Sequence, residues 1–277
     1  MNTIDNNLLL SLLLLFFFFS LSLSAAAAAA AAADEPSSLP RPLILELPTG
    51  PRPEEEQHQQ QQFRCSSWRV AGEANNLSPW RTVPPECAGY VREYMRGKKY
   101  RADLDLVASE AAAYARSLAL AGDGRDAWLF DIDETLLSNL PYYADHGFGL
   151  ELFNGQEFDK WVEMAMAPAI ESSLKLYEEV KGLGYKIFLL TGRGEGQRMV
   201  TTYNLNKVGI EGWEKLILRG LDDHGKPAKT YKSEKRAEIE AEGYRILGNS
   251  GDQWSDLLGF ATSDRSFKLP NPMYYIP

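Results

Sequence analysis

The stretch WLFDIDETLLSNLPYY (residues 128–143) leads from an apolar run directly into two aspartates and a glutamate. Apolar side chains such as Trp128 and Phe130 usually enter a hydrophobic core, and a run without polar alternation is typical of a strand buried on both faces. A carboxylate at the end of such a strand is costly unless it has a partner. Asp131 and Asp133 therefore indicate a place where a cation binds.

Three more apolar segments of strand length follow, and segments with helical periodicity separate them. The candidate strands are AWLFD (127–131), YKIFLLTGR (185–193), EKLILRG (214–220) and the first part of YRILGNSGDQWSD (244–256). The candidate helices lie within residues 103–122, 157–167, 168–182, 195–209 and 233–243. Alternation of strand and helix is the pattern of a parallel sheet covered by helices. We therefore predict an α/β fold, a doubly wound, Rossmann-like parallel sheet with helices on both faces.

Polar residues follow three of the candidate strands at the point where each ends. They are Asp131, Thr191 and Asp252, within the patterns DxDxT, TGR and GDxxxD. Each pattern alone is equally well explained as a turn or a helix cap. In open sheets, however, ligands bind outside the carboxyl ends of the strands. The three strand ends are therefore expected to meet at one crevice.

In this order, the motifs resemble those of the haloacid dehalogenase (HAD) superfamily of phosphohydrolases. The finer resemblance is to its class B acid phosphatases and to plant acid phosphatases related to vegetative storage proteins. It is carried by FDIDETLLSNLPYYADHGFG (130–149) and GYRILGNSGDQWSDLLG (243–259) and covers residues 63–277. The resemblance implies an acid phosphatase that hydrolyses small phosphate monoesters through an aspartyl-phosphate, with Mg²⁺ as cofactor.

The resemblance also implies a role for each motif residue. Asp131 is the nucleophile, and Asp133 is first the general acid and then the general base. Thr191 donates a hydrogen bond to a phosphate oxygen. Asp131, the backbone carbonyl of Asp133 and Asp252 bind Mg²⁺, and Asp256 supports that metal site.

Hydrolysis of a phosphate monoester through a covalent intermediate requires the same residue types. A carboxylate attacks a phosphate dianion only when their repulsion is neutralised, and a hard divalent cation held by oxygen ligands does this. The covalent route divides one difficult step into two. The second carboxyl group must keep its proton while its neighbour is ionised, which the crowding of like charges encourages.

A lysine that holds the phosphoryl group is expected near the start of the helix within residues 233–243. Helix-terminal N–H groups also favour phosphate there. Lys232 fits best, and Lys229 and Lys235 are the alternatives. Arg193 is a further cation that contacts either phosphate or a surface acid.

Several aromatic residues lie close to the first motif. Tyr142, Tyr143 and Trp161 are interpreted either as pocket wall or as ordinary packing, and His146 as a turn residue. The segment between residues 136 and 167 is too short for a full cap domain. A small cap and an open site are therefore expected, with either broad phosphomonoester specificity or a second subunit, as in a homodimer, that completes the pocket.

The first 62 residues differ from the rest in composition. Residues 1–33 carry an apolar run followed by nine alanines, the layout of a cleaved secretory signal; an uncleaved signal anchor is the alternative. Residues 34–62 are rich in Pro, Glu and Gln and are interpreted as a disordered linker or propeptide. The domain would then comprise residues 63–277, secreted or vacuolar and without stable membrane association once the signal is cleaved.

The net charge and the cysteines bear on the partners and the location of the protein. The formal net charge is −9 and the pI about 5.0, which argues against a nucleic-acid partner. Cys65 and Cys87, the only cysteines, are expected to form a disulfide in a secreted chain. Asn76 begins the glycosylation sequon NLS, which the following Pro79 weakens, so a glycoprotein is an open prediction.

Three functions remain compatible with the sequence. The first is a secreted or vacuolar Mg²⁺-dependent acid phosphatase. The second is a vegetative storage protein that keeps the fold and turns over little substrate. The third is a phosphate-binding or interaction module tethered to a membrane by residues 8–33. The presence of both Asp131 and Asp133 favours the first.

Overall fold

A five-stranded parallel sheet forms the centre of the protein. The computed structural model describes residues 54–277. The strands are β1 (Asp126–Phe130), β2 (Lys186–Gly194), β3 (Lys215–Arg219), β4 (Arg245–Gly251) and β5 (Arg265–Lys268). Their order is β3-β2-β1-β4-β5, with every neighbouring pair parallel. The chain thus winds outward from β1 in one direction and then in the other, which confirms the doubly wound α/β prediction.

Helices connect the strands. They are α1 (Glu54–Glu73), α2 (Ala88–Arg96), α3 (Lys98–Ser117), α4 (Leu140–Asp145), α5 (Gly155–Glu163), α6 (Glu171–Leu183), α7 (Arg198–Lys207), α8 (Ala228–Ala241) and α9 (Trp254–Leu257). Short 3₁₀ segments occur at Pro85–Cys87, Glu195–Gln197 and Leu221–Asp223.

Both faces of the sheet are buried, as the uninterrupted apolar run of β1 predicts. Trp128 and Phe130 belong to one hydrophobic cluster, which includes buried residues of α3 and α6. Ala127 and Leu129 belong to a second cluster on the opposite face, which includes Tyr231 of α8. Because successive side chains of a strand point to opposite faces, β1 contributes to both clusters. The prediction of helices on both faces is confirmed.

Part of the segment predicted to be a linker is helical. Helix α1 starts at Glu54, so residues 54–62, interpreted as linker, are helical and continue into the domain. The predicted signal at 1–33 and the remaining linker residues lie outside the described part of the chain. Within residues 54–277, none of the helices has the length and apolar character needed to cross a bilayer.

The predicted disulfide is confirmed. Cys65 in α1 is bonded to Cys87, which directly precedes α2, and both residues are buried. The bond joins the first helix to the next one. Helix α3 differs from its prediction because it begins at Lys98 rather than after Asp103. The side chain of Asp103, which lies within the helix, accepts a hydrogen bond from Tyr94 (2.6 Å).

The insertion after β1 is short, as expected. It holds α4 and α5, of six and nine residues, before the chain enters α6. Strand β5 was not predicted from the sequence. It has only four residues, RSFK, of which only Phe267 is buried, so its hydrophobic pattern is too weak to indicate a strand.

Candidate active site

The carboxyl ends of β1 and β4 lie side by side and bring two sequence motifs together. Phe130 pairs with Ser250 in the sheet, and the backbone N–H of Asp131 donates to the carbonyl of Ser250 (3.0 Å). Asp131 therefore lies beside Gly251, the last residue of β4, and Asp252, which follows it. This edge opens into a cavity of about 510 Å³, whose lining includes Asp131, Asp133, Arg193, Lys232, Asp252 and Asp256.

Three buried carboxylates form a compact cluster at this edge. One oxygen from each of Asp131, Asp252 and Asp256 lies within 4.8 Å of the others. The approach of Asp256 requires a glycine at position 251, since a Cβ there would lie 2.5 Å from the Cβ of Asp256. Hard oxygen donors in a buried group of three match the ligands that Mg²⁺ or Ca²⁺ prefers. The cluster can therefore hold a metal ion.

Lys232 is the lysine that the fold brings to this cluster. Its Nζ donates to Asp131 Oδ1 (2.5 Å) and to Asp256 Oδ1, and the side chain is buried. Lys235 pairs instead with Glu238 (2.8 Å). Neither Lys235 nor Lys229 is among the residues that line the cavity. Of the three candidates, only Lys232 is placed to contact a phosphoryl group beside Asp131.

The charges of the cluster do not cancel. Burial raises the pKa of Asp131, against the opposing effect of Lys232. Burial and the neighbouring Asp256 raise the pKa of Asp252 to about 8. With all three carboxylates ionised and one ammonium present, the cluster carries two excess negative charges, which a divalent cation would compensate. The residues therefore fit a divalent metal in charge as well as in donor chemistry.

Asp133 has a different environment from Asp131. Arg193 binds its carboxylate through two nitrogens, Nη2 to Oδ1 (2.8 Å) and Nε to Oδ2 (3.1 Å), and Asn139 donates to Oδ1 (2.9 Å). Although burial favours the protonated form, the guanidinium lowers the pKa of Asp133. This differs from the expectation that Asp133 keeps its proton, because like-charge crowding is outweighed by a bidentate cation. Arg193 thus contacts a buried catalytic candidate and not a surface acid.

Thr191 lies beneath the cavity. Its fully buried hydroxyl contacts Asp133 Oδ2 (3.4 Å) and accepts a hydrogen bond from the backbone N–H of Arg193 (3.1 Å). Gly192, Arg193 and Gly194, which follow it, line the cavity, whereas Thr191 does not. Thr191 therefore lies directly below the cavity lining, with its hydroxyl on Asp133.

The C-terminal segment completes the site. The sequence did not predict this contribution. Asn271 donates to Asp252 Oδ2 (2.7 Å), and Gln253 Nε2 donates to the same oxygen (2.6 Å). Tyr274 and Tyr275 line the cavity. The sequence NPMYYIP carries no periodicity, and its prolines indicate only irregular backbone, so nothing local shows where it folds back.

A second buried network lies behind Asp133. Glu134, fully buried with φ +53°, accepts hydrogen bonds from Tyr274 Oη (2.7 Å) and Asn139 Nδ2 (3.1 Å). Burial and the neighbouring Asp133 raise the pKa of Glu134 to about 7. Asn139 therefore connects Asp133 to Glu134, and its own Oδ1 accepts from Trp161 Nε1 (2.8 Å).

Of the three aromatic residues considered from the sequence, Tyr143 lines the cavity and stacks on Tyr274 at 5.0 Å between ring centroids. Trp161 packs behind the wall against Asn139. Tyr142 lies 4.2 Å from the ring of His146, which is paired with Glu151, outside the cavity lining. The cap contributes Phe153 and Phe158 to the wall, which therefore carries aromatic as well as charged side chains.

Comparison with known proteins gives a consistent result. The family model described as HAD superfamily, subfamily IIIB (acid phosphatase), matches residues 52–277. Acid phosphatase 1 of tomato (Solanum lycopersicum) is 63% identical over 215 residues, which cover 78% of this chain and 84% of the tomato protein. Vegetative storage protein 2 of Arabidopsis thaliana is 39% identical over 215 residues, covering 77% of this chain and 80% of that protein.

The fold is also found among solved structures. The class C acid phosphatase from Bacillus anthracis superimposes with a TM-score of 0.55 and 23% sequence identity, over 67% of this chain and 83% of the bacterial one. At this level of identity the likeness concerns the fold alone.

Proposed function

Since the chain belongs to the acid phosphatases of HAD superfamily subfamily IIIB, we propose that the cavity at the ends of β1 and β4 is its active site, with Asp131 as the nucleophile. One observation supports this most directly. The carboxylate of Asp131 lies within the cavity, 2.5 Å from the ammonium of Lys232 and beside Asp252 and Asp256.

In the first step, an oxygen of Asp131 forms a bond to phosphorus, and the bond between phosphorus and the leaving oxygen breaks. The leaving oxygen takes a proton from Asp133. In the second step, Asp133 removes a proton from water, and the water oxygen displaces Asp131 from phosphorus. Inorganic phosphate and both carboxyl groups are regenerated. Because Arg193 stabilises the ionised form of Asp133, the first step requires prior protonation, which an acidic medium favours.

Asp131, Asp252 and Asp256 would hold Mg²⁺, together with the backbone carbonyl of Asp133. The ion would offset the repulsion between carboxylate and phosphate dianion and stabilise charge on the phosphoryl oxygens. Lys232, which contacts Asp131 and Asp256, would bind a phosphoryl oxygen beside them. Thr191 would position the loop that surrounds the phosphoryl group through its contacts with Asp133 and the backbone of Arg193. Because a hydroxyl has one proton, it would donate to a phosphate oxygen only by releasing Asp133.

The test is phosphatase activity on a panel of small monoesters with added Mg²⁺. Asp131→Asn removes the charged nucleophile with little change in volume, and we expect activity to fall to background. Asp145→Asn is the matched control because Asp145 is an exposed aspartate at the end of α4. This variant should retain full activity. Chelation with EDTA should abolish turnover, and Mg²⁺ should restore it. Equal rates for Asp131→Asn and the wild type would refute the assignment.

A storage role is the second candidate because a vegetative storage protein is 39% identical to this chain. It predicts correct folding and metal binding with negligible turnover on every monoester. A single-turnover measurement of phosphate release separates the two roles, since an intact nucleophile transfers phosphate at least once even in a slow enzyme.

The predicted signal at residues 1–33 implies a secreted or vacuolar location. Sequencing the N-terminus of the mature protein tests whether the signal is cleaved. Removal of residues 1–33 would support a cleaved signal, and an intact terminus would support the anchor. Asn76 in the sequon is exposed, so an oligosaccharide can reach it. Loss of a mass shift on Asn76→Gln would show glycosylation there.

The proposal of a homodimer draws on exposed apolar side chains of α7, which a second subunit could bury. Met199 and Tyr203 of α7, a helix that contacts α5 of the cap, are 85% and 62% exposed. Light scattering of the wild type and of Met199→Glu would show whether a dimer exists and whether this face forms it.

A further inference from the structure

Three cationic side chains line the cavity within residues 54–277: Arg193, Lys232 and Arg219. The first two are paired with carboxylates of the reaction centre, Arg193 with Asp133 and Lys232 with Asp131. Arg219 forms no ion pair with any described residue. It is therefore the cavity cation whose charge is left for a bound molecule.

Arg219 is nevertheless held in place. Its Nη1 donates to the backbone carbonyls of Asp223 (3.1 Å) and Lys226 (3.0 Å), and its guanidinium lies 4.3 Å from the centre of the Tyr231 ring. These contacts fix the plane of the guanidinium and use only one of its nitrogens. Nε and Nη2 have no partner among the residues that the structure describes, so this edge of the fork remains available.

Two acids near Arg219 in the sequence, Asp223 and Glu234, are paired with lysines instead, and Asp222 forms no ion pair with Arg219 in the described part of the chain. Asp223 is paired with Lys226 (3.0 Å) and Lys235 (3.7 Å). Glu234 is paired with Lys226 (2.6 Å). The remaining carboxylate of the cavity lining, that of Asp159 in the cap, accepts a hydrogen bond from Gln197 and forms no ion pair with Arg219.

The position of Arg219 suits a group at the far end of a substrate. It ends β3 and pairs with Gly194 of β2, two strands away from β1. At the usual strand spacing, this places its backbone about 10 Å to the side of the strand that carries Asp131. Gly192 and Gly194 line the cavity, and a Cβ on either would face open space. Neither of these two residues therefore obstructs the cavity between Asp131 and Arg219.

We propose that Arg219 binds a second anionic group on the substrate, so that the enzyme prefers phosphate monoesters whose leaving group carries a carboxylate or a second phosphate. The guanidinium fork matches both groups, which share two oxygens in one plane. The inference rests on the proposed active site, because it places the transferred phosphoryl group at Asp131. It adds a specificity-determining residue at the opposite side of the same cavity.

The test compares substrates that differ only in the distal charge. para-Carboxyphenyl phosphate is paired with para-carbamoylphenyl phosphate, and hexanediol bisphosphate with hydroxyhexyl monophosphate. For the wild type, we expect a higher kcat/KM on the charged member of at least one pair, which also identifies whether carboxylate or phosphate is bound. Arg219→Gln should reduce the charged-to-neutral ratio about tenfold, the effect of losing one charged contact.

Arg125→Gln is the matched control. Arg125 also lies over a tyrosine ring, that of Tyr244, and donates to a backbone carbonyl, that of Glu242, but it is outside the cavity. Its substitution should leave the ratio unchanged.

Two outcomes would overturn the role of Arg219, and a third would overturn the active-site assignment on which that role rests. If Arg219→Gln lowers kcat/KM equally on both members of each pair, Arg219 only supports the loop at Asp223, and the inference is wrong. A wild-type ratio at or below one for both pairs is equally decisive, even if the variant does not fold. If Asp131→Asn keeps full activity, the active-site assignment fails instead, whatever the ratio shows.

Discussion

Lys232 Nζ lies 2.5 Å from Asp131 Oδ1, although 101 positions separate the two residues in the sequence. The contact arises because α8 precedes β4, and the start of α8 faces the carboxyl edge of the sheet where β1 ends. An ammonium shared between Asp131 and Asp256 reduces the repulsion among three buried carboxylates. The same ammonium is available to bind a phosphoryl oxygen.

We expect Lys232→Met to lower kcat/KM at least about 100-fold, the usual cost of losing one charged group that stabilises the transition state. The variant should also be stabilised more strongly by Mg²⁺ than the wild type, because its carboxylates have lost their only bound cation. Kinetics and thermal unfolding with and without Mg²⁺ measure the two effects.

Lys235→Met is the control for this prediction because Lys235 lies on the same helix but pairs with Glu238 and Asp223. It should keep near-wild-type activity. A larger loss from Lys235→Met than from Lys232→Met would show that the phosphoryl group contacts a different lysine.

Arg193 is expected to be important for stability as well as activity. Its side chain is 3% exposed and forms a bidentate pair with Asp133, so Arg193→Gln leaves a largely buried carboxylate without its cation. We expect a loss of about 3 kcal/mol in the free energy of unfolding. Arg193→Lys should not restore activity, since an ammonium cannot reproduce the fork.

Chemical denaturation, together with kcat/KM, measures both effects. Arg116→Gln removes an arginine from an exposed ion pair with Glu179 and should cost below about 1 kcal/mol. Comparable losses from the two glutamine variants would argue that the pair between Arg193 and Asp133 adds nothing to stability.

The sequence predicted the sheet and the motif residues because both depend on local pattern. The apolar run before Asp131 indicates a buried strand, and the rule on strand ends predicts that Asp131 and Asp252 meet. The structure brings them together with Asp256 and Lys232. Four of the five strands could be found in this way.

The rest depends on contacts between distant segments, which local patterns do not encode. Asn271 reaches Asp252 only because β5 lies parallel to β4 and the segment after β5 continues past the end of β4, and NPMYYIP has no period that would indicate this. The cation that favours the ionised form of Asp133 was missed for a related reason. The crowding of Asp133 by like charges is visible in DIDET, whereas the guanidinium that opposes it comes from β2, 60 positions later.

Asn271 should tune the affinity of the metal site. It donates to Asp252 Oδ2 (2.7 Å) and holds the carboxylate in its orientation. Asn271→Asp replaces the donor with a like charge, and we expect the apparent Kd for Mg²⁺ to rise about 10- to 100-fold, the usual effect of losing a partner that orients a metal ligand. Titration of activity against Mg²⁺, and calorimetry, measure the change.

Asn206→Asp is the control because it makes the same chemical change on an exposed side chain of α7. It should leave the Mg²⁺ titration unaltered. If Asn271→Asp binds Mg²⁺ as tightly as the wild type, the C-terminal segment has no part in the metal site.

The disulfide should stabilise the N-terminal helices. Cys65 and Cys87 are 22 residues apart, and closing a loop of that length is worth about 3 kcal/mol in the chain-entropy account. We expect the double substitution Cys65→Ala with Cys87→Ala to lower the free energy of unfolding by about that amount. Denaturant titration measures it, with reduced wild type as a second comparison. Kinetic constants should change little, since the bond lies outside the cavity lining.

Asp123 gives a pH-dependent contribution far from the active site. Hydrogen bonds from Arg245 lower the pKa of Asp123 to about 2, below its ordinary value. A depressed acid stabilises the folded state fully above its unfolded pKa, and this contribution disappears as the pH falls through about 2. Arg245→Gln should therefore destabilise the protein more at pH ~5 than at pH ~2, and NMR titration should find the pKa of Asp123 near its ordinary value. An unchanged pKa of Asp123 in the variant would mean that Arg245 does not cause the low pKa.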